Sequence, residues 1–352
     1  MANRGNIEVV VPDAIVEIQQ INSLNQSQVI DLKQWMQNLP QRLHNVPLNC
    51  ISIPGSHDSG AYSVSSLKDY APDGRFLFNS RVGQLLGSAA KKVMCDWMRT
   101  QDLNCKEQLE NGIRYFDFRV ATKHESSDFF IVHGLYGDSM GTILDSIKEF
   151  LDLNSKEIVL LHFQHLYVIS NDDHHRLLQQ ITDVFGSKIC PVVRKVEEVT
   201  LSWMWSQQYQ VLVFYVNDIA NYHPFLWTKE FITNPWPKVI KGDELIQFLT
   251  EQHKQEKPLR KFVVSQGVLT PSASFIMRHP LSKFRDLAEC AHLALQEWLK
   301  GKQDLNIVIS DFVDMKDCWF PRMVVGLNYS RSNHSEEVNG KGPRLLSTIR
   351  AP

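Results

Sequence analysis

The 352-residue chain is defined first by what it lacks. No apolar run approaches the length needed to cross a bilayer, so a helix-spanning membrane protein is excluded. The opening residues, Met1-Ala2-Asn3-Arg4-Gly5, do not form the apolar core of a secretory leader. Charge of either sign is not in excess. The 37 Lys and Arg against 39 Asp and Glu leave a net −2, with no global pull toward nucleic acid or an anionic membrane. Nucleic-acid binding is therefore not expected. There is no Cys-x-x-Cys, and the six cysteines (Cys50, Cys95, Cys105, Cys190, Cys290, Cys318) follow no framework spacing. Buried thiols in a reducing compartment are the expectation, hence a cytoplasmic protein with at most peripheral membrane contact. No internal repeat and no linker divides the chain.

What is present is an ordinary globular composition, 43% hydrophobic and 22% charged, able to bury a full core. The chain is organised around Cys50-Ile51-Ser52-Ile53-Pro54-Gly55-Ser56-His57-Asp58-Ser59-Gly60. A short apolar run suits a buried strand, and Pro54-Gly55 stops it. His57 and Asp58 then lie just past a strand's C-terminal end, where parallel α/β folds place their chemistry. The alternative is a turn with a capping Asp and an incidental His.

Strand and helix alternate along the rest of the chain. A helical stripe over 22–39 carries Val29, Leu32, Trp35, Met36 and Leu39, and Pro40 stops it. Strands are expected at 113–120, 129–134, 157–163, 211–216, 262–266 and 306–312. Helices are expected at 101–110, 141–153, 174–185, 284–299 and 321–327. Residues 217–240 are aromatic and proline-punctuated. The run Ile7–Val11 has no evident purpose, and 331–352 reads as a disordered tail. The pattern predicts one α/β domain with a parallel sheet, a distorted (β/α) barrel of TIM type with about seven strands. A doubly wound sheet is the second choice, weakened by the lack of Gly-x-Gly-x-x-Gly after the first strand. The expected divisions are an arm and helix over 1–40, a barrel over 41–330 and the tail.

Parallel strands would gather His57, Asp58, Asp117, Arg119, His133, the His162/Gln164/His165 cluster and Asp311 in one mouth. Asp117 and Arg119 are two apart and share a face. Two imidazoles, a guanidinium and several carboxylates suit phosphodiester cleavage. One His removes a proton from the attacking hydroxyl, and the second protonates the departing oxygen. The Arg steadies the non-bridging oxygens, and a carboxylate behind the base fixes its tautomer. Each residue also has a structural reading. His133 could hydrogen-bond a backbone carbonyl, Asp117 and Arg119 could pair inside the barrel, His162 and His165 could be wall residues, and Asp311 could cap a helix.

The motifs PGSHDS, GIRYFDFR, FIVHGL, EIVLLHF and NIVISDFV, in that order, resemble the X-box region of phosphatidylinositol-specific phospholipase C. The resemblance is to the eukaryotic proteins that consist of an X domain and little else, and it runs from about Trp35 to Leu327. It implies a distorted TIM barrel and cleavage by the neighbouring inositol hydroxyl. It also implies His57 as general base, Asp311 as its orienting carboxylate, His133 as general acid and Arg119 as the phosphate-stabilising cation. By the same resemblance Asp58 assists at the leaving-group side, and Asp117 holds the Arg and the acid in place.

Calcium-dependent animal enzymes carry Asn after the first His and Glu-x-Asp on the second strand. This chain has Asp58 and Asp117-x-Arg119, so no calcium, metal or other cofactor is expected. Bacterial enzymes grip inositol with a Lys and an Arg, where Gln164 and Tyr215 stand here, and close relatives carry Asp where His162 stands. No stretch is left over for a PH, EF-hand or C2 domain. A lipid surface, if touched, is expected to meet the barrel rim around Phe225, Leu226, Trp227 and Trp236; the alternative is that these aromatics close the barrel. The leading expectation is a phosphodiesterase acting on phosphoinositide or related phospholipid. The alternatives are a catalytically weak lipid- or phosphate-binding module, and a glycerophosphodiesterase-type barrel. The last would need the second carboxylate that Arg119 replaces.

Overall fold

The strand expected ahead of His57 forms at Ile53–Ser56 (β1). It pairs in parallel with Tyr115–Thr122 (β2) on one side and Ile307–Ser310 (β10) on the other. The structure is a computed structural model that describes residues 30–74, 81–124, 126–256 and 260–330, with the backbone alone for 81–86. The barrel lies wholly in the unit that begins at Leu32.

Beyond β2 come Val159–Tyr167 (β5), Val211–Tyr215 (β6) and Leu226–Trp227 (β7). Beyond β10 come Phe262–Gln266 (β9) and Ile232–Thr233 (β8), and every pairing along this path is parallel. Phe129–His133 (β3) and Leu135–Ser139 (β4) form a hairpin added antiparallel to β2. The helices are Arg81–Met98 (α1), Cys105–Glu110 (α2), Met140–Leu153 (α3), Asn171–Phe185 (α4) and Leu201–Ser206 (α5). They continue with Gly242–Gln255 (α6), Ala273–Arg278 (α7), Phe284–Leu299 (α8) and Met315–Ser330 (α9). Eight parallel strands in chain order, with β10 returning to β1, make a distorted (β/α) barrel and not a doubly wound sheet. Its seam lies between β7 and β8, which are two residues long, with no ladder joining them among the described residues.

Side-chain alternation explains the layers. Phe116, Phe118 and Val120 of β2 share a core with Ile143, Leu144 and Ile147 of α3. Tyr115 and Asp117 therefore face the barrel interior. Tyr115 fits there because residue 55 is glycine: a Cβ on Gly55 would lie 2.8 Å from Tyr115 Cδ1 and 2.9 Å from Ile309 Cγ2.

Four expectations change. In its described part the 22–39 helix is a 3-10 turn, Leu32–Gln34, followed by turns, although Leu32, Trp35, Met36 and Leu39 are buried as the stripe requires. The strand ending in His133 belongs to the antiparallel hairpin and not to the barrel wall. The aromatic stretch 217–240 contains the two short strands β7 and β8, and Leu226 and Trp227 are buried in the barrel wall, so of the two readings of these aromatics the structural one holds for this pair and not lipid contact. The helix expected over 321–327 is longer, and Lys316, Asp317 and Cys318 near its start have left-handed backbone. Residues 7–11 and 331–352 lie outside the described residues. All six cysteines are free thiols. No described helix is long and apolar enough to cross a membrane.

The end of the barrel opposite the strand C-termini is tied by one ion pair. Arg114, fully buried, donates to Glu157 Oε2 from Nη2 (2.7 Å) and Nε (2.9 Å). Its remaining N–H groups reach the carbonyls of Leu109 (2.7 Å), Ile113 (2.9 Å) and Lys33 (2.8 Å). Glu157 also accepts from the backbone N–H of Gln37 at 3.0 Å. The pair thus pins the 32–39 segment beneath β2 and β5. Removing one partner strands a buried charge, so Glu157→Ala is expected to lose about 3–5 kcal/mol in urea unfolding. A loss under about 1 kcal/mol would show that the pair does not hold this end.

Candidate active site

β1 ends at Ser56, and the ladder continues one residue further through His57 N–H to Ser310 O (3.1 Å). This sets His57 beside Asp311, the residue after β10. The His57 Nδ1 lies 2.7 Å from Asp311 Oδ1. A carboxylate there keeps the proton on Nδ1 and leaves Nε2 to face the mouth. Asp58 follows with φ +41°, and Phe312 follows Asp311 with φ +42°, so both loops turn on a left-handed residue. Such backbone costs on the order of 1–3 kcal/mol and is held by its surroundings.

Asp58 is the centre of the site. One oxygen, Oδ2, lies 3.3 Å from His57 Nε2 and 3.4 Å from His133 Nε2; the other, Oδ1, pairs with Arg119 Nε. Neither oxygen makes an aligned hydrogen bond, so the carboxylate holds the Arg119 guanidinium and the two imidazoles by charge and dipole more than by directed bonds. His133 ends β3, and its Nδ1 donates to the carbonyl of Met98 at 2.6 Å. A carbonyl only accepts, which fixes the proton on Nδ1 and turns Nε2 inward. Arg119 and Asp117 come from the interior face of β2. Asp117 Oδ2 accepts the Asp58 backbone N–H at 3.4 Å, while its Oδ1 is buried without a partner.

The site also separates its own proton affinities. Burial pulls the His57 imidazole down, but the Asp58 and Asp311 carboxylates outweigh it and raise His57 to about 9. Burial with the Arg119 charge lowers His133, despite Asp58. Burial raises Asp58, but Arg119, His57 and His133 hold it well below the usual carboxylate range. Burial and the Asp58 charge lift Asp117 to about 7. Burial likewise raises Asp311, against the pull of His57. Near neutral pH, without a substrate, His57 carries the proton and His133 does not.

His57, Asp58, Asp117, Arg119, His133 and Asp311 are brought together. Tyr215 is not. Phe214 takes the interior position, its ring 6.0 Å from those of His162 and Trp227, so Tyr215 points outward and bonds His174 Nδ1 of α4 at 2.7 Å. Its assignment to substrate binding is therefore corrected. Gln164 is the extra residue of a bulge: Phe118 pairs with Phe163, but Arg119 pairs with His165. The bulge puts His165, not Gln164, opposite Arg119. His162 is buried against the Tyr115 hydroxyl (2.6 Å), and burial pushes it down to about 3, a neutral wall residue.

Sequence reasoning missed several supporting groups. The Trp236 ring packs on His57 at 5.0 Å, a contact that neither reading of the 217–240 aromatics, lipid rim or barrel closure, named. Asp73 accepts the N–H of Gly134 at 3.0 Å, and its charge acts on His133 and Arg119. Thr100 and Gln101 bond the His57 carbonyl. None stands in a motif. Only the proline-flanked Trp236 gave a signal, and it pointed elsewhere. One imidazole and two carboxylates, of His57, Asp58 and Asp117, offer metal-ligand atoms within 4.8 Å of one another.

The architecture is that of the phosphatidylinositol-specific phospholipases C. The Listeria monocytogenes enzyme superposes with a TM-score of 0.60 at 20% identity, over 85% of this chain and 99% of its own. A variant of the Staphylococcus aureus enzyme gives 0.59 at 14% identity, over 87% and 99%. No protein-family model matches the chain. Whole-chain relatives do. PI-PLC X domain-containing protein 3 of Danio rerio is 37% identical over 311 residues, 86% of this chain and 95% of that one. The Homo sapiens protein 3 is 36% identical over 307 residues, 85% and 94%. Protein 2 of Mus musculus is 38% identical over 301 residues, 84% and 87%. The chain belongs to the PI-PLC X domain-containing protein family.

The Asp117 shift makes a stability claim. Its folded affinity (about 7) exceeds that of an unfolded Asp, so it favours the fold at low pH and loses that contribution as pH rises through 7. Asp117→Asn is expected to gain stability over the wild type between about pH 5 and about pH 8 in urea titrations. A difference that stays flat or shrinks would contradict the assignment.

Proposed function

We propose that the protein is a phospholipase C-like phosphodiesterase that cleaves a phosphoinositide or related phospholipid without a metal. The observation that carries this is the convergence of His57 Nε2 and His133 Nε2 on one oxygen of Asp58, with Arg119 on the other. A phosphodiester against Arg119 would meet one imidazole on each side of phosphorus. His57 would take the proton of the hydroxyl adjacent to the phosphate, and that oxygen would attack phosphorus. Arg119 would hold the charge gathering on the non-bridging oxygens. His133 would protonate the departing glycerol oxygen, and Asp311 would stabilise the imidazolium at His57.

This chemistry needs His57 neutral and His133 charged, the reverse of the free site. Both arrangements hold the same number of protons, and a phosphate anion next to His133 raises its affinity. Metal independence is supported by the donor set. Calcium takes six to eight oxygens, whereas the three-ligand cluster supplies two carboxylates and an imidazole, one carboxylate already paired with Arg119. A lipid substrate is supported by the rim. Leu67 (93% exposed), Val168, Met277 and Leu281 (97%) project from segments that follow β1, β5 and β9, around the mouth. Membrane binding is a property of the Staphylococcus aureus phospholipase of this fold. Free thiols throughout fit a reducing cytosol. A second reading, a phosphate- or lipid-binding module with little turnover, is favoured by Tyr215 pointing away from the mouth.

Turnover of phosphatidylinositol in vesicles, in excess EGTA, tests the reading. His57→Ala and His133→Ala are each expected to lose about 10²–10⁴-fold. Wild-type turnover that matches both variants would leave only the binding reading, and turnover that requires added calcium would overturn metal independence. The pH profile is a separate check. The kcat/KM is expected to rise through the lowered His133 value and to fall again near 9, giving a broad bell. An alkaline limb near the ordinary imidazole value would contradict the charge pattern around His57.

A further inference from the structure

One short segment bonds the imidazole of His133, the backbone carbonyl of His57 and the loop of Asp311. It runs from Met98, the last residue of α1, to Gln101. Met98 O fixes His133, as described. Thr100 Oγ1 lies 3.1 Å from Asp58 O and 3.3 Å from His57 O, and Thr100 O accepts the N–H of Phe312 at 2.7 Å. Gln101 uses its whole amide. Its Nε2 donates to His57 O and to Ser310 O, both at 3.0 Å, and its Oε1 accepts the N–H of Val313 at 3.2 Å. Thr100 and Gln101 are fully buried. Outside them, Arg285 of α8 pairs with Asp102 and, at 3.2 Å, with Asp314, closing the same bracket from the surface.

The bracket sits where the backbone needs it. The residues it bonds flank the two left-handed positions, Asp58 and Phe312, on which the His57 and Asp311 loops turn. The His57–Asp311 contact therefore depends on two loops, one after β1 and one after β10, held in register by a side chain that belongs to neither strand.

We propose that Gln101 is the positioning residue of the site, its amide locking the His57 loop to the Asp311 loop and so fixing the base against its carboxylate. The catalytic part of this inference rests on the phosphodiesterase reading; the positional part does not. Loss of the amide leaves Val313 N–H unpaired and removes one donor each from His57 O and Ser310 O. The loops can then relax from their left-handed turns, and His57 moves off Asp311. The groups that face His57 are Asp58, Asp117 and Asp311, with His133, His165 and Arg119 beyond them. Of these, Asp311 alone meets Nδ1.

The test is Gln101→Met, which keeps length and removes the amide, with Thr100→Val as a second variant removing one hydroxyl from the same bracket. The His57 ring is titrated by NMR in the full chain, alongside urea unfolding and kinetics on phosphatidylinositol vesicles. The wild-type midpoint is expected near 9. In Gln101→Met it should fall by about one pH unit or more toward the free imidazole value. The kcat should drop by about 10²-fold with KM nearly unchanged, as for a misplaced catalytic group. Thr100→Val should shift both in the same direction by less, and it carries the decision if Gln101→Met does not fold. An unchanged midpoint with unchanged kcat, whatever the loss of stability, would make Gln101 a packing residue and overturn the proposal. Wild-type inactivity with a shifted midpoint would instead defeat the phosphodiesterase reading and leave the positional role standing.

Discussion

The structure depends on a buried charge cluster that would be untenable one member at a time. Asp58 brings a carboxylate to the mouth of the barrel, and only a guanidinium and two imidazoles from three places in the chain make that bearable. Arg119 comes from β2, His57 from the end of β1, and His133 from the hairpin outside the barrel wall. Removing water strengthens each attraction and penalises any member left unpaired. Proton affinities consequently spread in both directions from their ordinary values, within one small volume. Groups pushed apart in this way are the usual mark of a functional site.

The barrel supplies the geometry for that cluster. Parallel ladders on both sides of β1 fix the height at which His57 and Asp311 emerge, and alternation along β2 delivers Asp117 and Arg119 to the same interior face. The far end is locked by Arg114 and Glu157, so the chemistry and the main structural ion pair sit at opposite ends of the same strands.

What could be read from the sequence was what is local in it. His57-Asp58 just past a strand, the two-residue spacing of Asp117 and Arg119, and Asp311 after an apolar run each carry their position in their neighbours, although Pro54 and Gly55, expected to stop the first strand, lie inside its ladder. His133 reached the site by a route the sequence did not show, because a strand before a His-Gly pair reads alike whether it pairs parallel or antiparallel. The bulge at Gln164 shifted the face by one residue and brought His165 opposite Arg119, and no residue type announces a bulge there. Tyr215 was misjudged because the preceding Phe214 takes the interior. Two-residue strands such as β7 and β8 are too short for any periodicity to reveal. The 98–101 bracket works largely through backbone carbonyls, which every residue has.

The central claim is that two imidazoles and a guanidinium act together on one phosphodiester. Phosphorus NMR of phosphatidylinositol incubated with the purified protein in EGTA tests it most directly. The account predicts a five-membered cyclic phosphodiester signal growing at the expense of the lipid with wild-type protein and not with His57→Ala. Lipid left intact by the wild type, or consumed without any cyclic product, would contradict it.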